Sequence, residues 1–357
     1  MTGRRKWILI GFCGVMFGSA LISALQRSSN TAEPEISPQD DATNYAHQLN
    51  NIMANVADKV KSSVVVIRTE KVRFTIHRDL LGNPWYGERE NLMGEGSGVI
   101  IDERGYVLTS WHVIEGAMAQ RIEVVLNDET KLPARYVGHD QATDLAVLRI
   151  DGGNRTYPAV EPGDSDRLRV GHMVMAIGSP YSLQSSVSMG HVSQKGRHMQ
   201  ILPYEDFLQT DMALNKGNSG GPLVDVDGRL VGINAAILGE GTGIAFAVPS
   251  NLAMAVANSL IKTGQHEWPW IGAFFRENEG RVEIENVYVD TPAARVGLRA
   301  GDEVLSVNDK SIHKADDALR EIFNHVVGNE IRLVLQRAGG TPFSVDLTLE
   351  QFPGRPY

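Results

Sequence analysis

Short apolar runs broken by turn residues fill most of this chain. Val64-Val65-Val66-Ile67, Val99-Ile100-Ile101, Ala146-Val147-Leu148-Arg149-Ile150, Val174-Met175-Ala176-Ile177 and Leu230-Val231-Gly232-Ile233 are each too short for a helix. Glycine-bearing turns separate them, which is the pattern of short strands. It continues to about Pro249. Ahead of the first strand, Ser63 to Thr69, the segment Tyr45 to Val60 reads as a helix. After the last, Asn251 to Lys262 reads as a helix stopped at Gly264, because glycine accepts the left-handed conformation that commonly ends one. From Phe74 to Met93 the pattern reads as a long polar loop holding Pro84-Trp85-Tyr86. A loop of that length is uncommon without a purpose. Gly94-Glu95-Gly96-Ser97-Gly98 then opens the strand Val99-Ile100-Ile101.

A different pattern begins at Trp268-Pro269-Trp270. Val282 to Val287 alternates as a strand. Thr291-Pro292 has the form of an N-cap followed by the first helical residue, and Gly297 ends that turn. Gly301 to Asn308 is a turn running into a strand. Ala315 to Val327 reads as an amphipathic helix with Leu319, Ile322, Phe323 and Val326 on one face and Gly328 at its end. Ile331 to Leu335 and Phe343 to Leu349 complete a small sheet. No long-range repeat is visible.

The front of the chain differs again. Arg4-Arg5-Lys6 precede Trp7 to Leu25, a stretch without charge. Its length, about 19 residues, is near that of a bilayer-spanning helix and exceeds a usual signal-peptide core. It reads as an uncleaved anchor, with the basic cluster cytoplasmic and the rest of the chain outside. A signal peptide cut after Ala24 is the other reading. The resulting division is 1–27 cytoplasmic tip and transmembrane anchor, 28–44 linker, 45–265 a β-rich domain, and 266–357 a smaller α+β domain with its tail.

Composition changes this picture little. Hydrophobic residues make up 42% of the chain, enough for full cores, and the net charge of −9 argues against a nucleic-acid binder. The single cysteine, Cys13, excludes an intrachain disulfide and a cysteine-based metal site.

The chemistry lies in three short segments. Gly217-Asn218-Ser219-Gly220-Gly221-Pro222 sets a serine among glycines whose N–H groups can face a ligand. Ser110-Trp111-His112-Val113 and Thr143-Asp144-Leu145-Ala146 lie upstream. The order His112, Asp144, Ser219 is that of a chymotrypsin-type serine protease. A serine hydroxyl needs a base, which is His112; Asp144 holds the imidazole tautomer; the amides of Gly217 and Ser219 form an oxyanion hole. Asp140 is the nearest competing acid. Asp144 is better placed, because the apolar Leu145-Ala146-Val147-Leu148 begins beside it. Gly-x-Ser-x-Gly also describes the nucleophile elbow of α/β-hydrolases. That fold needs a late histidine, such as His266, His313 or His325, and a strand–helix alternation that is absent around Ser219. A glycine turn with an idle serine is the remaining reading.

These pieces together resemble the HtrA family of periplasmic serine proteases, over nearly everything after about residue 45. The resemblance rests on Gly96 to Ile100, Thr109 to Ile114, Thr143 to Ile150, Phe207 to Asp211, Gly217 to Val224 and Gly243 to Pro249. The C-terminal part resembles a PDZ domain, notably in Thr291 to Leu298 and Gly301 to Asn308. One anchor plus one PDZ is most like the membrane-tethered, stress-sensing branch of the family. Ser110-Trp111 departs from the family wording. The resemblance implies a mainly β fold: a chymotrypsin-like double β-barrel followed by an α+β PDZ domain, with an N-terminal transmembrane helix. It also implies a homotrimer that needs neither metal nor cofactor. The carboxylate-binding loop would be Ile271-Gly272-Ala273, opposite the helix carrying Leu319, Phe323 and Val326. Arg197 would sit on the loop that relays PDZ state. Ala235, Ala236, Ile237 and Leu238 would form the wall of a pocket for a small apolar residue. The expected partners are a membrane-bound anti-sigma factor as substrate, C-terminal peptides of misfolded envelope proteins as activators, and the bacterial inner membrane. The alternatives are a general periplasmic quality-control protease and a non-enzymatic PDZ scaffold or chaperone.

Overall fold

The computed structural model describes residues 38–353, save 79–83, 179–185, 198, 200–201, 203, 215–216 and 238–242. The expected anchor, Trp7 to Leu25, lies outside the described residues. Among the described residues no helix is long and apolar enough to cross a membrane. The chain divides into a short unit ending at Ile52 and a compact body from Met53 onward.

Helix α1 (Pro38–Lys61) begins earlier than the sequence pattern suggested. Pro38, Asp40 and Asp41 suit a helix start, since proline fixes the first turn and acids favour the N-terminal dipole. Within the body, Met53, Val56 and Val60 form one buried stripe of this helix.

The first barrel closes in the order β1-β2-β3-β6-β5-β4. Its strands are β1 (Val64–Arg78), β2 (Pro84–Asp102), β3 (Tyr106–Ser110), β4 (Ala117–Val125), β5 (Lys131–Asp140) and β6 (Leu145–Ile150). Helix α2 (Trp111–Ile114) follows β3. The expected loop from Phe74 to Met93 is replaced by a long hairpin: β1 and β2 stay paired from Val64↔Val99 out to Arg78↔Pro84, with one irregularity between Phe74 and Ile76. Val72, Phe74 and Ile76 alternate with Arg73, Thr75 and His77. That period-2 pattern is a strand signal which the prolines and glycines nearby obscured.

Beyond β7 (Glu161–Pro162), the second barrel uses β8 (Met173–Gly178), β9 (Ser186–Arg197), β10 (Phe207–Thr210), β11 (Pro222–Val224), β12 (Arg229–Ile237) and β13 (Ala245–Pro249). Their order is β11-β8-β9-β10-β13-β12, and β11–β12 pairing closes the ring. Helix α3 (Ser250–Thr263) ends at Gly264, which is left-handed at φ 78.

Successive strand residues point to opposite faces, so a run buried on both sides is apolar throughout. Val65, Ile67, Val107, Ala146 and Leu148 fill the first barrel. Val174, Ala176, Leu208 and Leu223 fill the second. Their neighbours Val64, Leu108, Leu145, Val147, Met175, Ile177 and Ile233 join Ala253, Val256 and Leu260 of α3 in a third core at the seam between barrels.

The C-terminal part pairs β14 (Pro269–Trp270) with β21 (Glu350–Gln351). Its main sheet runs β15 (Ala273–Asn278), β16 (Arg281–Val287), β17 (Glu303–Val307), β19 (Glu330–Gln336), β20 (Pro342–Thr348), with β18 (Lys310–Ser311) beside β17. Helix α4 (Pro292–Arg295) has Thr291 as its N-cap, as expected. Helix α5 (Ala315–Phe323) stops short of the expected Val327, with Asn324 as C-cap. Asn329 accounts for this: its side chain accepts from Val326 N at 3.1 Å and its N–H donates to Val326 O at 3.0 Å. Such local bonds compete with continued helix. Ala318 and Ile322 of α5 bury against Ile271, Ile284, Val304 and Leu333.

Candidate active site

The β3 strand ends at Ser110, and its pairing with β6 sets Ser110 opposite Leu145. Asp144 is therefore the last residue before β6, facing the start of α2. Trp111 N donates to Asp144 O at 2.8 Å. His112 N donates to Asp144 Oδ1 at 2.9 Å, and His112 Nδ1 lies 2.5 Å from Asp144 Oδ2. A carboxylate accepts only, so Nδ1 carries a proton, and in the neutral tautomer this leaves the lone pair on Nε2. Asp144 is buried at 9% exposure, whereas the His112 side chain is 45% exposed. The acid is thus shielded while the base faces solvent. Asp144 holds a left-handed backbone at φ 56. Side chains other than glycine rarely adopt it, and it persists where surrounding contacts enforce it.

Ser219 lies in the seam between barrels. Ser97 of β2 donates its N–H to Ser219 O at 3.0 Å and its hydroxyl to Gly217 O at 2.5 Å. Gly220 N donates to Asn234 O of β12 at 2.7 Å. Gly220 has φ +80, and a Cβ there would lie 2.3 Å from Thr109 Oγ1 and 2.4 Å from Ser97 O. A Cβ on Gly221 would lie 2.6 Å from Ile177 O. Backbone of both barrels therefore closes on these glycines. Gly217 also holds a positive φ of 102. Thr109 directs its hydroxyl to Ser97 O at 2.7 Å, so the strand that leads into His112 and the loop that carries Ser219 share one anchor. Among the described residues no hydrogen bond joins the Ser219 hydroxyl to His112, as is common in ligand-free sites.

Ser97, Thr109 and Asn234 were not singled out as site residues from sequence. Ser97 and Thr109 lie within motifs that carried the family resemblance; Asn234 had no local signal. Ala235 is buried at an irregularity of β12, and Ala236 and Ile237 pair with Phe246 and Ala245. Leu238 lies outside the described residues.

Arg197 ends β9 opposite Phe207 and is exposed. Arg320 of α5 reaches beside it: its Nη2 would be 2.7 Å from a Cβ on Gly196, and its Nε lies 3.0 Å from Asp206 Oδ1. Gly272 has φ +89 with Thr291 packed against it. Gly272 O accepts from Tyr288 N at 2.9 Å, and Ile271 O from Ala293 N at 2.7 Å. Ala273 then starts β15, an edge strand of the sheet. Of the expected helix residues, Leu319 is half-buried on α5. Phe323 meets the rings of Tyr204 and Trp268, each at 4.8 Å. Val326 lies beyond the helix end and is 64% exposed.

Comparison with known proteins agrees with this arrangement. Residues 96–233 match the trypsin-like peptidase domain and residues 269–349 the PDZ domain. A probable periplasmic serine endoprotease, DegP-like, from Brucella suis is 38% identical over 280 residues, covering 74% of this chain and 54% of that protein. A DegP-like protein of Pseudomonas putida is 40% identical over 273 residues, covering 72% of this chain and 56% of its own length. The chain thus spans about half the length of these relatives. Among solved structures, the HtrA-type protease AlgW with tripeptide is 33% identical, covers 84% of this chain and 97% of its own, and superposes with a TM-score of 0.69. The serine endoprotease from Yersinia pestis is 34% identical with the same coverage and a TM-score of 0.59. A double barrel with the His112–Asp144 pair at its seam, followed by a PDZ domain, places the chain in the family of HtrA-type serine proteases.

Proposed function

We propose that this chain is a PDZ-regulated serine endoprotease whose catalytic residues are His112, Asp144 and Ser219. The observation that carries the reading is the double hydrogen bond from His112 to Asp144, built beside the glycine-locked Ser219 loop. His112 Nε2 takes the Ser219 proton as Oγ attacks a peptide carbonyl. Asp144 stabilises the resulting imidazolium without accepting the proton itself. The amides of Gly217 and Ser219 receive the oxyanion, a role in which one donor is worth about 3–4 kcal/mol. The imidazolium then protonates the leaving amine, and water repeats the sequence on the acyl-enzyme. The sequence Ala235-Ala236-Ile237-Leu238, expected to wall the substrate pocket, carries no charge and favours a small apolar side chain at the cleavage point. The test is labelling with a fluorophosphonate: Ser219 becomes modified, and Ser219→Ala removes both labelling and about 10⁶ of kcat. A Ser219→Ala chain that still cleaves protein overturns the assignment.

The PDZ part takes peptide C-termini. The β15 edge lies beside α5, so a peptide adds to the edge as a further strand with its carboxylate at Ile271-Gly272-Ala273. Leu319, half-buried on α5, is the expected helix residue that stays available for the peptide's last side chain, whereas Phe323 packs on Tyr204 and Trp268 and Val326 lies beyond the helix end. AlgW, a structural neighbour, was solved with a tripeptide and with a decapeptide. The seating of Arg320 over Gly196 supports a role for Arg197 in carrying peptide binding to the protease. The N-terminal segment anchors the chain in the bacterial inner membrane with both domains in the periplasm, the compartment in its relatives' names. The protein acts as a homotrimer, activated by C-termini of misfolded envelope proteins, on a membrane-bound anti-sigma factor. The DegP-like relatives favour a second reading, general periplasmic quality control. Cleavage of unfolded casein without any added peptide would support that one.

A further inference from the structure

Asp140, the acid that competes with Asp144 on sequence, has no place in the catalytic scheme, yet it is 8% exposed and fully engaged. Its Oδ2 accepts from Thr143 twice, from the N–H at 3.0 Å and from the hydroxyl at 2.6 Å. Its Oδ1 accepts from the indole N–H of Trp268 at 3.0 Å, across 128 residues of sequence. Trp268 is 4% exposed and lies just ahead of β14, where the PDZ part begins. Tyr204 holds the same turn from a second side: its N–H donates to Ala142 O at 3.1 Å, and its ring lies 4.9 Å from that of Trp268. The turn from Asp140 to Asp144 is thus bound at the side chain of its first residue and the carbonyl of its third.

This turn delivers Asp144 in its left-handed conformation. Inside it, the Asp144 N–H reaches Gln141 O only at 3.4 Å. A weakly closed turn with a strained last residue needs outside restraint, and charge-assisted bonds to a buried carboxylate are strong ones. We propose that Trp268 and Asp140 are positioning residues for Asp144, so that the serine protease chemistry depends on the seating of the tryptophan that leads into the PDZ part. Trp268 fixes Asp140, Asp140 fixes Thr143, and Thr143 fixes the φ of its neighbour. The proposal rests on the triad reading above. His266 stands beside this contact, its ring meeting Trp268 edge-on at 4.8 Å. Burial lowers its pKa, against the raising effect of Asp140 and Glu267, and the neutral ring leaves Asp140 to the indole.

The experiment uses the full chain with Trp268→Phe, Asp140→Asn and both together. Phenylalanine keeps a ring against Tyr204 but loses the N–H and part of the indole's volume; asparagine replaces one acceptor by a donor. Two quantities are followed: the rate of fluorophosphonate labelling of Ser219, and the downfield proton resonance of His112 Nδ1–H bonded to Asp144. Small misplacements of catalytic groups are costly, so each single change slows labelling about tenfold or more. The resonance broadens or moves upfield, the melting temperature falls by no more than the loss of a buried bond explains, and the double variant is no slower than the slower single one. Labelling at the parent rate or faster overturns the proposal. So does a fall in melting temperature with the resonance unmoved. If Asp140→Asn does not fold, Trp268→Phe alone decides. Labelling of the parent, abolished by Ser219→Ala, tests the triad separately.

Discussion

Asn234 holds the Ser219 loop from the second barrel: its carbonyl accepts the Gly220 N–H at 2.7 Å, and its side-chain amide donates to Gly221 O and Pro222 O at 3.1 Å each. It is 1% exposed. Asn234→Ala leaves Pro222 O without this donor in a dry place. The cost is about 1–3 kcal/mol, read as a lower denaturation midpoint, and labelling of Ser219 slows with it.

Gly220→Ala has a larger effect. At φ +80 a Cβ meets Ser97 O at 2.4 Å, and a backbone oxygen does not move aside. The left-handed conformation alone costs about 1–2 kcal/mol in a residue with a Cβ. The variant loses fluorophosphonate labelling and melts at lower temperature. Full labelling at the parent melting temperature contradicts the loop geometry.

Ser97→Ala separates catalysis from folding. The Ser97 hydroxyl holds Gly217 O, while its N–H still holds Ser219 O. Removing one hydroxyl bond costs about 0.5–1.5 kcal/mol. The loss falls on the orientation of the Gly217 peptide, so kcat drops while KM and the melting temperature change little. Steady-state kinetics on a chromogenic peptide measure it.

The PDZ part carries an acid-sensitive contact. Burial acts to raise the Asp302 pKa, but the Arg337 guanidinium, with both its bonds at 2.7 Å, and the Arg299 N–H at 2.9 Å outweigh it and hold the pKa below the usual aspartate value. A depressed folded pKa means that the unfolded chain binds protons first. The contribution is therefore complete above about pH 4, the unfolded value, and is lost as pH falls through the lower folded value. Asp302→Asn lowers stability at pH 7 and flattens this loss. Thermal melts between about pH 6 and pH 3 compare the two.

The proposed capture of a terminal carboxylate makes the peptide's end group decisive. A peptide with a free apolar C-terminus raises the cleavage rate, and the same peptide amidated neither binds nor activates. A tenfold gain in active population needs about 1.4 kcal/mol of preference for the active state. Activation by the amidated peptide as strong as by the acid removes Ile271-Gly272-Ala273 from the carboxylate role.

The strands and the three catalytic candidates were legible because their signals are local. Val64 to Ile67 and Leu145 to Leu148 are apolar throughout since each faces two cores. Gly217 to Gly221 announces a loop in which backbone closes from both sides. The αL stop at Gly264 and the Thr291 cap likewise depend only on neighbours in sequence. The β1–β2 hairpin was missed where glycines and prolines outweighed the alternation of Val72, Phe74 and Ile76. The end of α5 was missed because Asn329, beyond the pattern, closes the turn.

What the sequence by itself determined is which residues can turn, which bury, and which bear nucleophile, base and acid, because these follow from side-chain chemistry and from periods of 2 and 3.6 residues. The tertiary structure decided what each of the two neighbouring acids holds. The pairing of Ser110 with Leu145 brings Asp144 to the histidine, while Asp140 turns to Trp268. It also decided that Ser97, Thr109 and Asn234 together hold the Ser219 loop. Those choices depend on strand register and on contacts between residues far apart in the chain, and no local pattern encodes them.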